Sequence, residues 1–334
     1  MEKIAIALLT LAALIVFAAL LLIIFGGPAQ LPPMQSVSDP FKSVDFSDLP
    51  PVQRFTARDG VGLAYRAYGQ AGPGSKGSVV LIHGSSSRSD SIHPLAKGFA
   101  QAGYVAYALD MRGHGESGTK GQISYVGQLE DDLEDFLKAS RPSGKKSLIG
   151  FSSGGGFALR FAADARRELF DNYLLLSPFL SQDATTYRPA SGGWVSVGTP
   201  RIVVLVFLNR VGISWFNYLP VTSFALRPEA QKFLTPQYSY ALAMNFRPHR
   251  DYRGDIAAAS QPMEVLVGEN DDQFIPERFS PEFSAAGRKV PVSIVPGTGH
   301  IDLILTPVAV QAAVSAIGRL NVKSNSTVGA VEKK

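Results

Sequence analysis

A serine spaced between glycines carries the clearest chemical signal in the sequence. Gly150, Ser152 and Gly154 fit G-x-S-x-G, the nucleophile-elbow pattern, in which a serine occupies a sharp turn between a strand and a helix. The apolar residues 147–149 predict the buried strand, and residues 157–163 predict the helix. Glycines two positions before and after the serine let the strand and the helix approach without Cβ clashes. We therefore predict Ser152 as a nucleophile; the alternative is a glycine-rich turn with a capping serine.

A serine nucleophile of this kind works with a carboxylate that follows it in the sequence. Residues 263–267 predict another buried strand, and two carboxylates, Asp271 and Asp272, come shortly after it. We favour Asp271, because it follows Gly268 by three residues and a turn there would return its carboxylate to the sheet edge. Asp272 is expected to cap the next helix instead.

The third group that this chemistry needs is a histidine that accepts the proton of the serine hydroxyl. His300 follows the last predicted strand, over residues 290–295, and is the only histidine downstream of the predicted acid. Gly299 before it suits a loop that places the imidazole over the elbow. His83 and His114 precede the nucleophile, and both are expected to be structural.

Two backbone amides are predicted to stabilise the negative charge that develops on an attacked carbonyl oxygen. Ser153 follows the nucleophile at the start of the predicted helix, where the amide groups lack helical partners. The strand predicted over residues 78–82 runs into His83-Gly84-Ser85, in which Gly84 allows close approach and the amide of Ser85 can point inward. The alternative for this second loop is an ordinary strand-to-helix turn.

The elements that must position these residues are predicted strands that alternate with predicted helices. One helix, over residues 126–137, carries acidic residues that are predicted to form a solvated face: Glu130, Asp131, Asp132, Glu134 and Asp135. The alternation pauses at residues 178–260, a stretch too long for a loop, which we interpret as a helical cap over the site. Its apolar residues are predicted to line an acyl pocket or touch a bilayer; the alternative is that they pack on the core.

Residues 4–25 form an uninterrupted apolar run that is long enough to cross a bilayer, for which about 20 residues suffice. We predict an N-terminal transmembrane anchor. The alternative is a cleaved signal peptide, although the run exceeds the usual signal core of about 7–15 residues. Lys3 precedes the run and no Lys or Arg follows until Lys42, so the N-terminus is predicted to be cytoplasmic and the remainder exported, to a periplasm or the exterior.

Composition excludes several other classes of protein. The net charge of +4 is small for 334 residues, and Lys and Arg are scattered, so nucleic-acid binding is not expected. The chain has no cysteine, which excludes disulfides, thiolate catalysis and cysteine zinc sites. No metal-ligand spacing such as H-E-x-x-H occurs. We therefore expect no metal and no cofactor, and the oligomeric state stays open.

Five segments, taken in order, resemble the α/β-hydrolase superfamily and most closely its monoacylglycerol-lipase-like and serine-aminopeptidase-like branch: Leu81-Ile82-His83-Gly84, Asp110-Met111-Arg112-Gly113-His114-Gly115-Glu116-Ser117, Gly150-Phe151-Ser152-Ser153-Gly154, Gly268-Glu269-Asn270-Asp271 and Gly299-His300. The resemblance covers roughly residues 54–318. It implies an α/β fold with a mostly parallel, eight-stranded sheet flanked by helices. By position it also implies a site, with the following members: Ser152 as nucleophile, Asp271 and His300 as its partners, and the amides of Ser85 and Ser153 as the oxyanion hole.

The predicted organisation is an anchor over residues 1–27, a linker over 28–51, a hydrolase domain over 52–320 with its cap at about 178–260, and a disordered tail over 321–334. The predicted function is that of a membrane-anchored serine hydrolase that cleaves carboxylic esters, lipid-like acyl esters among them. The alternatives are a peptidase or amidase of the same fold and a non-catalytic binding protein that retains the fold.

Overall fold

The computed structural model describes residues 1–34, 39–188 and 193–331. The strands are β1 (Gln53–Thr56), β2 (Gly62–Tyr68), β3 (Ser78–Ile82), β4 (Val105–Leu109), β5 (Lys146–Phe151), β6 (Asn172–Leu176), β7 (Val195–Val197), β8 (Pro220–Phe224), β9 (Gln237–Ser239), β10 (Met263–Gly268) and β11 (Val292–Val295). The α-helices are α1 (Glu2–Phe25), α2 (His93–Gln101), α3 (Gln128–Ser140), α4 (Ser153–Ala163), α5 (Thr199–Arg210), α6 (Tyr240–Asn245), α7 (Tyr252–Ala258), α8 (Phe279–Ala285), α9 (Asp302–Leu305) and α10 (Pro307–Val331).

An eight-stranded sheet in the order β1-β2-β4-β3-β5-β6-β10-β11 forms the centre of the molecule. The six strands from β4 to β11 in this order pair in parallel, and β1 and β2 add an antiparallel edge. The mostly parallel, eight-stranded α/β sheet that the resemblance implied is therefore confirmed. The carboxyl ends of the six parallel strands meet at one edge of the sheet, where ligand sites of such folds lie.

Helices cover both faces of the sheet, and the alternation of side chains along β3 shows how. Val80 and Ile82 pack into the core beneath α3, α4, α7 and α8, whereas Val79 and Leu81 pack into the core beneath α2, α9 and α10. All four side chains are buried. A strand buried on both faces is apolar throughout, which is why its segment appears in the sequence as a continuous apolar run.

The insertion between β6 and β10 corrects the prediction of a helical cap. It contains helices α5, α6 and α7, but also a three-stranded antiparallel sheet in the order β7-β8-β9. Val195, Val197 and Val221 supply the β-branched side chains that favour strands there. These strands are three to five residues long, which is too short for an alternating pattern to be recognised in the sequence.

The acidic face of α3 is also corrected, because two of its five carboxylates are buried. Glu130 lies with its Oε1 atom 2.5 Å from Nε of Arg160 on α4, and Asp132 accepts hydrogen bonds from Arg112 at 2.7 and 2.8 Å. A charged group enters a protein interior only with such a partner. The sequence displays the acids as one run but does not indicate which distant arginines fold against them.

Helix α1 projects from the rest of the chain, and nearly all of its side chains are exposed. Within the part of the chain that the structure describes, it is the one helix with the length and apolar character to cross a bilayer. A signal sequence near an N-terminus can also meet these criteria of length and apolar composition. The carboxyl end of α1, at Phe25, lies against the insertion, where α1 packs on α5.

The segment between α1 and β1, predicted as a linker, runs along the surface of the domain. The amide of Met34 donates to the carbonyl of Ala225 at 2.9 Å, and Phe41 packs against the core. Asp48 forms an ion pair with Lys97 at 2.6 Å. Residues 35–38 of this segment lie outside the described residues.

At the other end, α10 runs on to Val331, whereas we predicted a disordered tail from Asn321. Residues 321–331 include no proline, and nothing else in this part of the sequence forces a helix to stop. The last part of the predicted tail, residues 332–334, lies outside the described residues.

Candidate active site

Ser152 lies at the carboxyl edge of the sheet, in the strained turn between β5 and α4. Its backbone has φ +54° and ψ −118°, in a region that non-glycine residues rarely adopt. A Cβ at Gly150 would lie 2.1 Å from the carbonyl oxygen of Gly154, and one at Gly154 would lie 2.3 Å from the carbonyl oxygen of His83. Both glycines of the G-x-S-x-G pattern are therefore required by contact, as the motif predicts.

His300, in the loop after β11, lies beside the serine. Its Nε2 atom is 3.1 Å from Oγ of Ser152, and its Nδ1 atom is 2.9 Å from Oδ2 of Asp271. The rings of Phe151 and Phe274 pack against the imidazole at centroid distances of 4.8 and 5.2 Å. The three side chains predicted as nucleophile, base and acid thus form one hydrogen-bonded chain, although the three residues are far apart in the sequence.

Asp271, rather than Asp272, is the carboxylate that contacts His300. Its Oδ1 atom accepts the amides of Gln273 and Phe274 at 2.8 and 2.9 Å. Burial alone would raise the pKa of Asp271, but His300 and these donors outweigh it and hold that pKa below its usual value. Asp272 is exposed, and its expected role as a helix cap is wrong, since the next helical turn has no side-chain cap.

Ser177 completes the surroundings of Asp271 and was missed by the sequence analysis. It follows β6, has φ +39°, and its hydroxyl donates to Oδ2 of Asp271 at 2.7 Å. Asp271 therefore receives hydrogen bonds from a hydroxyl as well as from amides. The available signal was position, because Ser177 ends a parallel strand at the same sheet edge as Ser152 and Asp271.

The two predicted amide donors lie on either side of the elbow. A Cβ at Gly84 would be 3.4 Å from Cβ of Ser152, so the loop after β3 passes directly beside the serine. No described residue accepts a hydrogen bond from the amide of Ser85, the next residue. Ser153 is the first residue of α4, and an amide at that position has no partner within its own helix.

Tyr238 of β9 holds the loop that carries Ser85 in place and was not identified from the sequence. The amide of Ser86 donates to the Tyr238 hydroxyl at 2.5 Å, and that hydroxyl lies 2.6 Å from Nε2 of His114. Ser86 itself has φ +66°, a strained conformation that these contacts maintain. No local pattern could have revealed the contact, because Tyr238 belongs to the insertion and lies 152 positions after Ser86.

His83 and His114 are buried next to this loop, and neither contacts Ser152. His83 lies with Nδ1 2.7 Å from the carbonyl of Gly84 and accepts the amide of Met111 at Nε2. Burial lowers the pKa of both imidazoles, and the neighbouring His83 lowers that of His114 further. They are structural histidines, as their position before the nucleophile led us to expect.

A cavity of about 1340 Å³ opens over the serine, between the sheet edge and the insertion. Ser152 and His300 lie at its base. Much of its wall is apolar and comes from the insertion and the segment before β1, including these residues: Met34, Phe41, Phe46, Trp194, Ile202, Val203, Val206, Phe207, Phe224, Leu226 and Phe233. It exceeds the volume of about 300–1,000 Å³ that is common for small-molecule sites.

Two solved lipases share this architecture. The monoacylglycerol lipase of Paleococcus ferrophilus matches with a TM-score of 0.56 and 20% identity, over 78% of this chain and 99% of that one. A soluble variant of monoglyceride lipase from Saccharomyces cerevisiae matches with a TM-score of 0.61 and 18% identity, over 88% and 99% of the two chains. The chain therefore has the α/β-hydrolase fold.

The chain also has detectable relatives by sequence. A family model described as serine aminopeptidase, S33, matches residues 73–223, which include Ser85 and Ser152. The monoacylglycerol lipase of Mycolicibacterium smegmatis is 35% identical over 94 residues, 26% of this chain. That match spans about a third, 33%, of the length of the curated relative. The predicted resemblance to the lipase-like and aminopeptidase-like members is confirmed.

Proposed function

We propose that this α/β-hydrolase is a membrane-anchored serine hydrolase that cleaves carboxylic esters with lipid-like acyl chains. The observation that carries the proposal is the hydrogen-bonded chain from Ser152 through His300 to Asp271, at 3.1 and 2.9 Å, on a strained elbow at the base of a cavity. Serine, histidine and aspartate in this arrangement perform acyl transfer on several unrelated folds.

In the proposed reaction, His300 accepts the hydroxyl proton of Ser152 as the serine oxygen attacks the ester carbonyl. Asp271 keeps the Nδ1 hydrogen of the imidazole directed toward itself and stabilises the imidazolium that forms. The amides of Ser85 and Ser153 bind the oxyanion, and each such donor is worth about 3 kcal/mol in the transition state. His300 then protonates the leaving alcohol, and water cleaves the acyl-enzyme by the same steps.

The apolar wall of the cavity favours an acyl chain as the part of the substrate that binds there. Transfer of an acyl chain from water into such surroundings is favourable by about 0.8 kcal/mol of free energy per buried CH₂. The insertion and the segment before β1 together supply much of this wall. The similar monoacylglycerol and monoglyceride lipases support the same proposal.

Labelling with a fluorophosphonate probe tests the nucleophile. We expect label on the wild-type chain and on Ser153→Ala, whose hydroxyl is one residue away, and no label on Ser152→Ala. Label that persists in Ser152→Ala and disappears in Ser153→Ala would transfer the role to the second serine. Absence of label on folded wild-type protein would favour a non-catalytic binding protein.

The acyl preference requires a separate measurement with a series of p-nitrophenyl esters of increasing chain length. We expect kcat/KM to rise from acetyl to longer esters, because each added methylene enters the apolar cavity. A steady fall of kcat/KM with chain length would remove the lipid-like substrate from the proposal and leave the hydrolase.

The anchor and its orientation are proposed from α1, with the amino end cytoplasmic and the hydrolase domain exported. A reporter enzyme that works only outside the cytoplasm, fused after Gly69, should be active. A cytoplasmic reporter at the same junction should be inactive. The reverse pair of results would invert the proposed topology.

A peptidase or amidase is the second candidate, because the matching family model is described as a serine aminopeptidase. An amide requires the same acyl-enzyme steps but a poorer leaving group. Matched ester and amide substrates with one acyl group separate the two functions. Comparable kcat values for both would favour the amidase.

A further inference from the structure

We infer that the insertion itself enters the bilayer interface, through the exposed face of α5 and the segment after it, and that Arg201 fastens this surface to the anchor helix. The inference rests on the anchoring of α1 that forms part of the proposed function. It concerns a second membrane contact, on the insertion, which we call the α5 surface. Its exposed members are Val203, Phe207, Val211, Trp215 and Tyr218.

The position of α1 determines where a bilayer would lie. Its 24 residues extend about 36 Å at about 1.5 Å per residue, slightly more than a hydrocarbon core of about 30 Å. The carboxyl end of α1 would therefore reach the membrane surface close to Phe25. The insertion lies against this end, since the amide of Arg201 donates to the carbonyl of Gly26 at 3.2 Å.

Arg201 caps the anchor helix from the side. Its guanidinium donates to the carbonyl oxygens of Ile23 and Ile24 at 2.7 and 3.0 Å, and to that of Pro220 at 2.6 Å. The last carbonyls of a helix lack partners within the helix and are costly to leave unpaired beside lipid. Helix α1 has no basic residue in its last turn, so Arg201 supplies the cation that a helix carboxyl end favours.

The contact is close on the anchor side, where a side chain at Gly27 would displace the guanidinium and one at Gly26 would meet backbone. A Cβ at Gly27 would lie 2.5 Å from Nη1 of Arg201, and a Cβ at Gly26 would lie 2.9 Å from its amide nitrogen. Arg201 is buried, and among the described residues no carboxylate forms an ion pair with it. Its partners are thus backbone carbonyls of α1 and of the insertion.

The α5 surface continues from this joint and has the composition of a membrane interface. Val203 and Phe207 are four residues apart, so they lie on one face of α5, and they are 61% and 64% exposed. Trp215 is 80% exposed and Tyr218 is 59% exposed. Tryptophan and tyrosine are enriched where a protein crosses the boundary between lipid and water. A water-facing surface would leave these side chains unburied beside a helix that is itself in lipid.

The same helix forms part of the cavity wall, which relates the surface to the substrate. Val203 and Phe207 contribute both to the exposed face and to the lining of the cavity above Ser152. An acyl chain at the interface would therefore meet the rim of the cavity without first crossing water.

Fluorescence of Trp215 in the full chain tests this inference, because the chain has only two tryptophans. The Trp194→Phe variant, reconstituted into phosphatidylcholine nanodiscs, leaves Trp215 as the single reporter. We expect blue-shifted Trp215 emission, and quenching by lipids brominated near the head group to exceed quenching by lipids brominated at the chain end.

Two matched reporters interpret the result, each in a chain without Trp194 and Trp215. Ala71→Trp places the reporter in the exposed loop between β2 and β3, at the opposite edge of the sheet, and should escape quenching. Leu14→Trp places it in the middle of α1 and should be quenched by bromine at the chain ends. Quenching at position 14 without quenching at Trp215 would overturn the α5 surface and leave the anchor intact.

If neither position 14 nor Trp215 is quenched, the anchor fails and this inference fails with it. Fluorophosphonate labelling of Ser152 would still report independently on the hydrolase.

The role of Arg201 is tested in the same Trp194→Phe chain. Arg201→Gln removes the cation, and Gly27→Val displaces the guanidinium without changing the charge. Both should lose most of the Trp215 quenching and keep the probe labelling of the Trp194→Phe parent, whereas Arg250→Gln, at an exposed arginine of the insertion, should keep both at the level of that parent. Unchanged quenching in both joint variants would overturn the fastening role of Arg201.

Discussion

At the scale of residues, the candidate site depends on how the ionised form of Asp271 is maintained. The carboxylate is buried, yet a hydroxyl, two amides and an imidazole surround it. These donors hold its pKa below the usual value although burial acts in the other direction. An ionised Asp271 is the form that can orient His300 and stabilise its positive charge.

Asp271→Asn should therefore lower kcat by about 10⁴-fold, because an amide can orient the imidazole in the wrong tautomer and cannot stabilise its charge. The measurement is hydrolysis of a p-nitrophenyl ester by the purified full chain. Asp272→Asn is the matched control: this neighbouring carboxylate is exposed and should leave kcat nearly unchanged. A larger loss in the control than in Asp271→Asn would assign the acid to the other residue.

Tyr238 contacts the loop that carries Ser85, a proposed oxyanion donor, through its hydroxyl. Tyr238→Phe removes the acceptor of the Ser86 amide, which lets the loop that carries Ser85 relax. We expect kcat to fall with little change in KM, by less than the roughly 10²–10³-fold that removal of an oxyanion donor costs. Tyr240→Phe is a control in the same part of the insertion, and it should keep wild-type kcat. Equal effects of the two variants would reduce Tyr238 to a packing role.

At the scale of elements, the site depends on close contact between β5, α4 and the loop after β3. Gly154 lies where a Cβ would be 2.3 Å from the carbonyl of His83, so α4 touches the neighbouring loop through backbone atoms. Helix α4 also packs on β5 and β6. The strain at Ser152 persists because these surrounding elements leave its backbone no other conformation.

Gly154→Ala should accordingly abolish fluorophosphonate labelling and lower the thermal midpoint, since backbone atoms cannot yield as a flexible side chain does. Gly318→Ala provides a matched comparison in α10, where an added Cβ meets nothing within 4 Å. That substitution should keep labelling and stabilise the helix by up to about 1 kcal/mol. Normal labelling of Gly154→Ala would show that the elbow tolerates a wider separation of its elements.

At the scale of the whole molecule, the insertion and the sheet are joined around two buried histidines. His114 lies between His83 on the sheet side and Tyr238 and Phe246 from the insertion, with ring centroids 4.7, 5.1 and 5.1 Å away. Burial lowers the pKa of both imidazoles, so both are neutral in the folded protein.

This burial predicts a dependence of stability on pH. Below the ordinary histidine pKa of about 6.5, the unfolded chain binds protons that the folded chain does not, so acidification favours unfolding. The free energy of unfolding should fall as the pH decreases below about 6.5, by up to about 1.4 kcal/mol per pH unit for each histidine, and the thermal midpoint should fall with it. Thermal unfolding of the full chain in detergent, measured across this range, provides the test.

His114→Gln should flatten that dependence, because one of the two buried imidazoles is gone. His249→Gln, at an exposed histidine of the insertion, should not flatten it. A wild-type midpoint that stays constant down to about pH 5 would contradict the assignment of two neutral buried histidines.

The sequence by itself determined the α/β architecture, the strand-to-helix turn at Ser152 and the order in which Asp271 and His300 follow that turn. These features have local causes: buried parallel strands are continuous apolar runs, and a strained strand-to-helix turn requires glycines at fixed spacing. The apolar character of α1 can also be recognised from the sequence, since a segment that could enter lipid must be apolar along its whole length.

Only the tertiary structure decided which distant groups meet. The sequence favoured Asp271 over Asp272 by position, and the turn that buries Asp271 beside His300 showed which of the two contacts the imidazole. Tyr238 and Arg201 act through contacts with residues more than 150 positions away, and the buried Glu130 depends on an arginine of another helix. The physical reason is common to all of them: a polar side chain carries no local sign of the partner that will satisfy it, and that partner is selected by how the layers pack.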